Sequence, residues 1–373
     1  MTRTKGVYIH IPFCHHKCNY CDFTSFPRNV NKQEEYLYYL KQEIKMYACE
    51  DIIDSIYIGG GTPSILSEQQ IQGIMDILKK SFKVKSLETT MEFNPEDVKK
   101  KKISSLLQSG IQRISLGVQS FQPKILQAMG RNHNQRQAID AVEKLRGEGV
   151  TNCSFDLIFG YPGQTREDLQ RDLYWIDRLQ PDHISWYNLI VEKSTKLYRQ
   201  KEKGLVFPKE DVQIEMYEDI QRGLSQLGYE QYEISNFAKK GKESIHNLKY
   251  WHYEDYYGFG IGASGSLYPD RWQNEVRYKN YVEKIIQGEF PQRRKEKLSL
   301  EEMAFEYILM NMRLTEGLSL EKYKSKFHRD FFDENKKVIE DFISSKHLVL
   351  DHDYLKFTKK GFEISNYIFT KFN

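Results

Sequence analysis

The sequence has few cysteines, no long apolar run and almost no excess charge of either sign. Its five cysteines in 373 residues make a disulfide framework of the secreted kind unexpected. No apolar run approaches the roughly 20 residues that span a bilayer, and the N-terminal segment lacks the apolar stretch of a secretory signal. The 55 basic and 52 acidic residues nearly cancel, so a nucleic acid partner is not expected. These absences predict a globular protein of the reducing cytoplasm.

Three of the five cysteines are nevertheless crowded together. Cys14, Cys18 and Cys21 lie within 8 residues, whereas Cys49 and Cys153 have no obvious partner. A cubane iron–sulfur cluster needs a ligand on each of four irons, so three thiolates would leave one iron open to a chelating ligand. A zinc knuckle or three unrelated thiols are the alternatives, although zinc sites favour four protein ligands. A later Gly-Gly-Gly-Thr-Pro loop at 59–63, where backbone groups can approach a ligand closely, favours the cluster.

Strand-like and helix-like segments alternate over the first half of the chain. Short β-branched or aromatic runs predict strands at 7–11, 55–58, 88–93, 113–118, 153–158 and 183–187. Between them, apolar residues three or four apart predict helices at 31–46, 68–81, 97–109, 135–148 and 166–179. Such alternation predicts parallel strands with crossover helices. The predicted fold is therefore α/β, an incomplete (β/α)6 barrel of the TIM type.

The carboxyl ends of these strands carry polar residues. Glu92, Gln119 and Asp156 each interrupt or end an apolar run where a barrel site would lie. Each one alone is equally well explained as a solvated strand end. Together they predict a ligand cage.

The chain changes character after Gly204, with more tyrosine and histidine and a glycine-rich stretch at 258–265. The apolar pattern predicts helices at 300–314 and 318–327, a hairpin at 348–358 and a further helix from residue 359 onward. This pattern predicts a mainly helical, winged-helix-like C-terminal region. It has no basic stripe of the kind that winged-helix DNA-binding domains carry.

The cysteine segment resembles the signature of the radical SAM superfamily, in which S-adenosylmethionine (SAM) occupies the fourth iron of a [4Fe-4S] cluster. Segments 8–23, 59–64, 115–121, 156–165 and 246–251 resemble the HemN/HemW group, which contains oxygen-independent coproporphyrinogen III oxidases and heme chaperones. The resemblance implies a radical SAM core at 1–235 and a HemN-type C-terminal region at 236–373. It also implies SAM contacts from Tyr8, Tyr20, Gly60, Gly61, Thr62, Glu92, Gln119, Arg131 and Asp156.

Three features of the sequence separate the two branches of this group. Phe23 stands where the oxidases carry a further cysteine, and their long N-terminal extension is missing before Cys14. The segment from His246 to Trp251 resembles the His-Asn-x-x-Tyr-Trp motif of the chaperone branch. That resemblance implies that His246 binds heme iron, for which imidazole is a good axial ligand, with Tyr250 and Trp251 against the porphyrin.

The sequence therefore predicts a heme chaperone that uses a [4Fe-4S] cluster, SAM and heme and delivers heme to acceptor proteins. Respiratory heme proteins are the expected acceptors, and any membrane association would come through them. Two alternatives stay open. One is a coproporphyrinogen III oxidase that decarboxylates propionate side chains by radical chemistry. The other is a radical SAM scaffold without redox chemistry, so the sequence leaves enzymatic activity undecided.

Overall fold

A computed structural model describes residues 4–27 and 29–372 of the chain. Most of its strands join one large sheet. In chain order the strands are β1 (Lys5–Ile11), β2 (Phe13–Cys14), β3 (Phe26–Pro27), β4 (Ile52–Gly60), β5 (Lys83–Phe93), β6 (Arg113–Gln119), β7 (Cys153–Phe159), β8 (His183–Asn188), β9 (Glu230–Gln231), β10 (Asn236–Ala238), β11 (Tyr256–Phe259), β12 (Ser264–Leu267), β13 (Asp270–Asn274), β14 (Gln292–Lys297), β15 (Leu318–Ser319), β16 (Leu348–Asp351) and β17 (Tyr354–Phe357).

The helices of the described residues alternate with the first strands and then dominate the C-terminal region. They are α1 (Val30–Met46), α2 (Glu68–Ser81), α3 (Lys100–Gln108), α4 (Pro123–Met129), α5 (Gln135–Gly147), α6 (Arg166–Leu179), α7 (Lys196–Glu202), α8 (Glu210–Gln226), α9 (Ile245–Trp251), α10 (Tyr278–Ile286), α11 (Leu300–Asn311), α12 (Leu320–Phe327), α13 (Phe331–Glu334), α14 (Lys336–Ser344), α15 (Lys359–Glu363) and α16 (Ser365–Phe369).

The centre of the large sheet consists of β1, β4, β5, β6, β7 and β8 in that order, each pair parallel. These are the six strands that the sequence predicted, and crossover helices connect β4 to β8. The predicted α/β fold, with a mainly helical C-terminal region that includes a hairpin, is confirmed. All six carboxyl ends lie on one side, which is where a parallel sheet places its ligand site.

Helix ends were predicted best where a capping box fixes them. The side chains of Ser67 before α2 and Thr165 before α6 each accept a hydrogen bond from the backbone amide three residues later. The side chain of that later residue in turn accepts one from the backbone amide of Ser67 or Thr165. The two helices begin and end at the predicted residues, 68–81 and 166–179. Where such a cap is missing, as before α3, the helix begins three residues later than predicted.

The sheet continues beyond the six predicted strands on both sides. Strand β11 pairs parallel to β1 and leads into antiparallel β12, β13 and β14, while β10 and β9 extend the β8 side. The glycine-rich stretch belongs to this extension, because a side chain at Gly258 would overlap the carbonyl of Ser264 on the facing strand. The predicted division of the chain at residue 235, between β9 and β10, stays a prediction.

Three apolar clusters are buried among the described residues, and two of them are large. The larger one lies between the parallel sheet and its helices and includes Ile9, Ile58 and Leu116, all without solvent exposure. The smaller one joins Tyr253 to the C-terminal helices and the sheet of β15, β17 and β16. No helix within the described ranges is long and apolar enough to cross a membrane.

Candidate cofactor site

The cysteine loop follows β1 and is fastened to the end of α4. The backbone amide of Asn19 donates to the carbonyl of Met129 at 3.0 Å, and its side-chain amide donates to the carbonyl of Ala128 at 2.8 Å. The imidazole of His16 lies 2.5 Å from the carbonyl oxygen of Gly130. The loop that carries the three thiols is therefore held against the rest of the sheet and not left free in solvent.

A cavity of about 390 Å³ opens at the carboxyl ends of the parallel strands, beside this loop. Its volume is in the range of small-molecule and cofactor sites. Eleven of the thirteen predicted site residues line it, namely Cys14, Cys18, Tyr20, Cys21, Gly60, Gly61, Thr62, Glu92, Gln119, Arg131 and Asp156. The residues that the sequence placed at separate strand ends are thus brought together around one space.

Arg131 connects the thiols to the strand ends. One terminal nitrogen, Nη1, lies 3.5 Å from the sulfur of Cys18, and the other, Nη2, donates to Asn94 Oδ1 at 2.7 Å and to the Gly117 carbonyl at 2.9 Å. Its Nε is buried without a hydrogen-bond partner among the described residues. A guanidinium fixed beside the Cys18 sulfur would partly offset the negative charge of that group as a thiolate.

Hydrogen bonds hold the glycine loop next to Glu92, which also lines the cavity. The amide of Gly60 donates to Glu92 Oε2 at 3.0 Å, the hydroxyl of Tyr57 donates to Glu92 Oε1 at 2.9 Å, and the amide of Gly61 donates to the Ile11 carbonyl at 2.9 Å. Burial, and to a lesser degree the nearby charge of Asp156, raises the pKa of Glu92 to about 8.

Asp156 and Gln119 complete the cage from the next strands. The hydroxyl of Ser115 donates to the Asp156 carboxylate at 2.9 Å, and burial raises the pKa of Asp156 above its usual range. Gln119 adopts a left-handed backbone with φ of 64° at the end of β6. A non-glycine residue in this conformation costs energy and often marks a functional position.

The thiols fit the ligand set of a cluster with one open iron. Burial raises the pKa of Cys14, and it raises that of Cys21 to about 11, so both are protonated at neutral pH until a metal displaces the protons. Among residues 4–27 and 29–372, no three His, Cys, Asp or Glu side chains converge on a point suited to a single metal ion. A cubane cluster does not require such convergence, because each thiolate bonds a different iron.

Two predicted residues do not line this cavity. The hydroxyl of Tyr8 lies 3.0 Å from His10 Nδ1, and its ring stacks on Tyr57 at 6.1 Å between centroids. His246 is only 1% exposed, with Nδ1 3.0 Å from the Ser55 hydroxyl and Nε2 2.7 Å from the Tyr250 hydroxyl. Its predicted role at heme iron stays a prediction.

Several cavity residues were missed from the sequence. Tyr57 precedes the glycine loop on β4, Tyr187 lies near the end of β8, and Ile190 follows that strand. Tyr187 and Ile190 are 42% and 72% exposed. The strand at 183–187 was predicted, so the rule that a barrel site lies at the carboxyl ends of its strands could have found Tyr187. Ile190 lies in an irregular segment whose position no local pattern indicates.

Comparisons with known proteins agree with this geometry. A model of the Radical SAM superfamily matches residues 8–176, and a model of the HemN C-terminal domain matches residues 298–364. Proteins named heme chaperone HemW are 37% identical to the chain, the one from Bacillus subtilis (strain 168) over 99% of both chains and the one from Lactococcus lactis subsp. lactis (strain IL1403) over 100% of this chain and 98% of its own.

A solved structure of coproporphyrinogen III oxidase (HemN) from Escherichia coli, described as a radical SAM enzyme, superposes with a TM-score of 0.87. The superposition covers 99% of this chain and 90% of that one at 23% identity, which shows a shared fold. The superfamily implies a [4Fe-4S] cluster and SAM, for which the cavity supplies three thiolates and a cage of polar groups. Within this superfamily, the 37% identity over nearly the full length of proteins named heme chaperone HemW identifies the family. The chain therefore belongs to the HemW family of the radical SAM superfamily.

Proposed function

We propose that this chain binds heme and delivers it to acceptor proteins. The observation that carries the proposal is the 37% identity, over nearly the whole of both chains, to proteins named heme chaperone HemW. Phe23 supports it, because this residue lines the cofactor cavity, 58% exposed, at the position where the resemblance places an additional cysteine in the oxidases.

The cofactor cavity would hold the cluster and SAM in this proposal. Cys14, Cys18 and Cys21 would bind three irons, and bound SAM at the fourth iron supplies one-electron chemistry. Gly60, Gly61, Thr62 and Glu92 would hold SAM from the β4–β5 side. The remaining proposed contacts are Tyr8, Tyr20, Gln119, Arg131 and Asp156.

The motif in α9 would contribute to heme binding, with His246 as the ligand that the resemblance implies. For this role its Nε2 has to leave the hydroxyl of Tyr250, or its Nδ1 the hydroxyl of Ser55. Burial lowers the pKa of His246 to about 3, so the ring is neutral and retains a lone pair for iron. Coordination by His246 thus requires a rearrangement of α9 and not a change of protonation.

The acceptors would be heme proteins of respiration, reached from the cytoplasm. Residues 1–235 would form the radical SAM core, and residues 236–373 the HemN-type region that completes the heme site. Any attachment to the membrane would be peripheral and come through the acceptor.

A coproporphyrinogen III oxidase is the second candidate. The cavity combines the three cysteines with Glu92, Gln119 and Asp156, and these residues could hold the cluster and SAM for a radical reaction as well. Heme transfer separates the two. The protein, with its cluster reconstituted anaerobically, is titrated with hemin and then mixed with an apo-heme protein such as apomyoglobin. Binding of hemin followed by formation of the holo-acceptor spectrum supports the chaperone, and absence of both binding and transfer contradicts it.

A further inference from the structure

The two nitrogens of the His246 ring face two different structural elements. Nδ1 lies 3.0 Å from the hydroxyl of Ser55, and Nε2 lies 2.7 Å from the hydroxyl of Tyr250. Ser55 belongs to β4 in the parallel sheet, whereas Tyr250 lies one turn after His246 on α9 itself. The surroundings of each hydroxyl therefore decide which nitrogen a ligand can reach.

The Nδ1 side of the ring lies against the sheet. Ser55 has no solvent exposure, and Tyr57, on the same face of β4, contacts the imidazole with 5.4 Å between ring centroids. Gly6 on β1 pairs with Ser55, and a side chain at Gly6 would come within 3.2 Å of both the His246 ring and Ser55 Oγ. A ligand that approached Nδ1 would have to separate these paired strands.

The backbone of α9 is also fastened to the sheet. Glu88 Oε1 on β5 accepts from the Ser244 hydroxyl at 3.2 Å and from the His246 backbone amide at 3.3 Å. Lys249 is 4% exposed, and its Nζ lies 2.9 Å from the carboxylate of Asp54 on β4. These contacts hold His246 beside Ser55, so the rearrangement of α9 that coordination requires can be limited to the side chain of Tyr250.

The Nε2 side of the ring is covered by Tyr250, which is half-buried. Its ring meets that of Tyr256 edge-on, with 4.6 Å between centroids, and both Tyr256 and the following Trp251 are half-buried. Rotation of Tyr250 toward solvent would expose Nε2 and leave the helix backbone in place. Its hydroxyl could then bond to water, whereas Ser55 has no access to water at its position in the sheet.

We propose that heme iron binds His246 Nε2, that Tyr250 covers this nitrogen in the heme-free protein, and that Ser55 orients the ring through Nδ1. The inference rests on the proposed heme function and names the residues that control its iron ligand. Coordination forms one iron–nitrogen bond from the Nε2 lone pair and displaces water from the iron, while the Tyr250 hydroxyl gives up its hydrogen bond. The ring proton then lies on Nδ1, which donates to Ser55 Oγ. No electron is transferred.

Ser55 and Tyr250 should act on heme affinity in opposite directions. The hydrogen bond to Tyr250 exists only before heme binds, so it stabilises the heme-free state and lowers the apparent affinity. The hydrogen bond to Ser55 persists, and it strengthens because iron on Nε2 makes the Nδ1–H a better donor. Histidines on metals commonly donate their second nitrogen in this way, and loss of the acceptor weakens metal binding about 10–100-fold.

The test is a titration of the cluster-loaded protein with hemin, followed by the Soret band. Resonance Raman spectra of the reduced complex then give the iron–imidazole stretching frequency. Tyr250→Phe keeps the aromatic ring but removes the hydroxyl, so hemin affinity should rise by roughly five- to tenfold. Ser55→Ala should lower the affinity by about tenfold and should also lower the stretching frequency, because the imidazole becomes a less basic ligand.

Matched controls are Tyr367→Phe and Ser194→Ala, since both residues are exposed. Their hemin affinity and spectra should equal those of the wild type. An unchanged cluster absorbance in every variant reports a folded chain. A purely structural role for Ser55 would lower the stability of the protein but would not change the iron–imidazole frequency.

Other results would overturn the inference. Stronger binding in Ser55→Ala together with weaker binding in Tyr250→Phe would place the iron on Nδ1. Wild-type affinity and spectra in both variants would show that neither hydroxyl controls the ligand, and an imidazole signature that persists in His246→Ala would exclude His246. In these three cases heme binding itself stands. A wild-type protein that binds no hemin contradicts both the inference and the proposed function.

Discussion

The imidazole of His246 lies against the ring of Tyr57, with 5.4 Å between their centroids. The hydroxyl of the same tyrosine donates to Glu92 in the wall of the cofactor cavity. One side chain therefore separates the motif helix α9 from the proposed SAM contacts.

Tyr57→Phe is expected to weaken SAM binding. The change removes the hydroxyl that bonds Glu92 Oε1 but keeps the ring against His246, so the carboxylate loses one of its two fixed donors. Removing one partner of a buried hydrogen bond costs roughly 1–3 kcal/mol, so the affinity should fall about tenfold. Isothermal titration calorimetry with the cluster-loaded protein measures this.

A matched control for that experiment is Tyr38→Phe, since Tyr38 is 59% exposed on α1 and does not line the cofactor cavity. Its SAM affinity should equal that of the wild type. Unchanged affinity in Tyr57→Phe as well would mean that Glu92 does not depend on Tyr57 for its position.

Replacing Cys14, Cys18 or Cys21 by alanine should remove most of the iron–sulfur absorbance after anaerobic reconstitution. The three thiols line one cavity and are the only cysteines there among the described residues. Cys49 is exposed and Cys153 is buried at the start of β7, so alanine at these two positions provides the control. An equal loss of absorbance in Cys49→Ala or Cys153→Ala would refute the ligand assignment.

Glu43 should make the folded state less stable as the pH rises. This fully buried carboxyl accepts from the Gly260 amide, Asn274 and Tyr281, yet burial raises its pKa to about 7. The unfolded chain ionises near the ordinary value and the folded one only near 7. Unfolding is therefore favoured increasingly between those values, by up to about 3 kcal/mol.

Glu43→Gln tests this dependence because glutamine does not titrate. The variant loses hydrogen bonds and should be less stable than wild type at pH 5, but the difference should shrink at pH 7. Urea unfolding at both pH values gives the two free energies. Glu50→Gln, on the surface, should follow the wild type, and a parallel course for Glu43→Gln would contradict the raised pKa.

The predictable part of the molecule is the part in which local pattern and tertiary structure agree. The six parallel strands were predicted from short β-branched or aromatic runs, and α2 and α6 from apolar residues three or four apart. Capping boxes fix the N-termini of both helices at the predicted residues. Strands β12 and β13 were not found, because their pairing depends on glycines that allow close backbone contact and not on an apolar pattern.

The candidate site shows the same limit. From the sequence, we predicted that Gly60 lies in the site because a glycine lets the backbone approach a ligand closely. In the structure its φ is +113°, and a side chain there would meet the His10 ring at 2.6 Å, so the protein itself fills that space. Nor does the motif reveal that His246 is enclosed while His252 faces a cavity, since that depends on how α12 packs against the end of α9.

The most direct test of the account is one anaerobic assay in which the cluster-loaded protein receives SAM, a reductant, hemin and coproporphyrinogen III together. Heme is followed by its Soret band and by transfer to apomyoglobin, and porphyrinogen products by mass spectrometry. The account predicts bound and transferred heme with coproporphyrinogen III unconsumed. Decarboxylation of coproporphyrinogen III without heme transfer would contradict it and assign the chain to the oxidase chemistry.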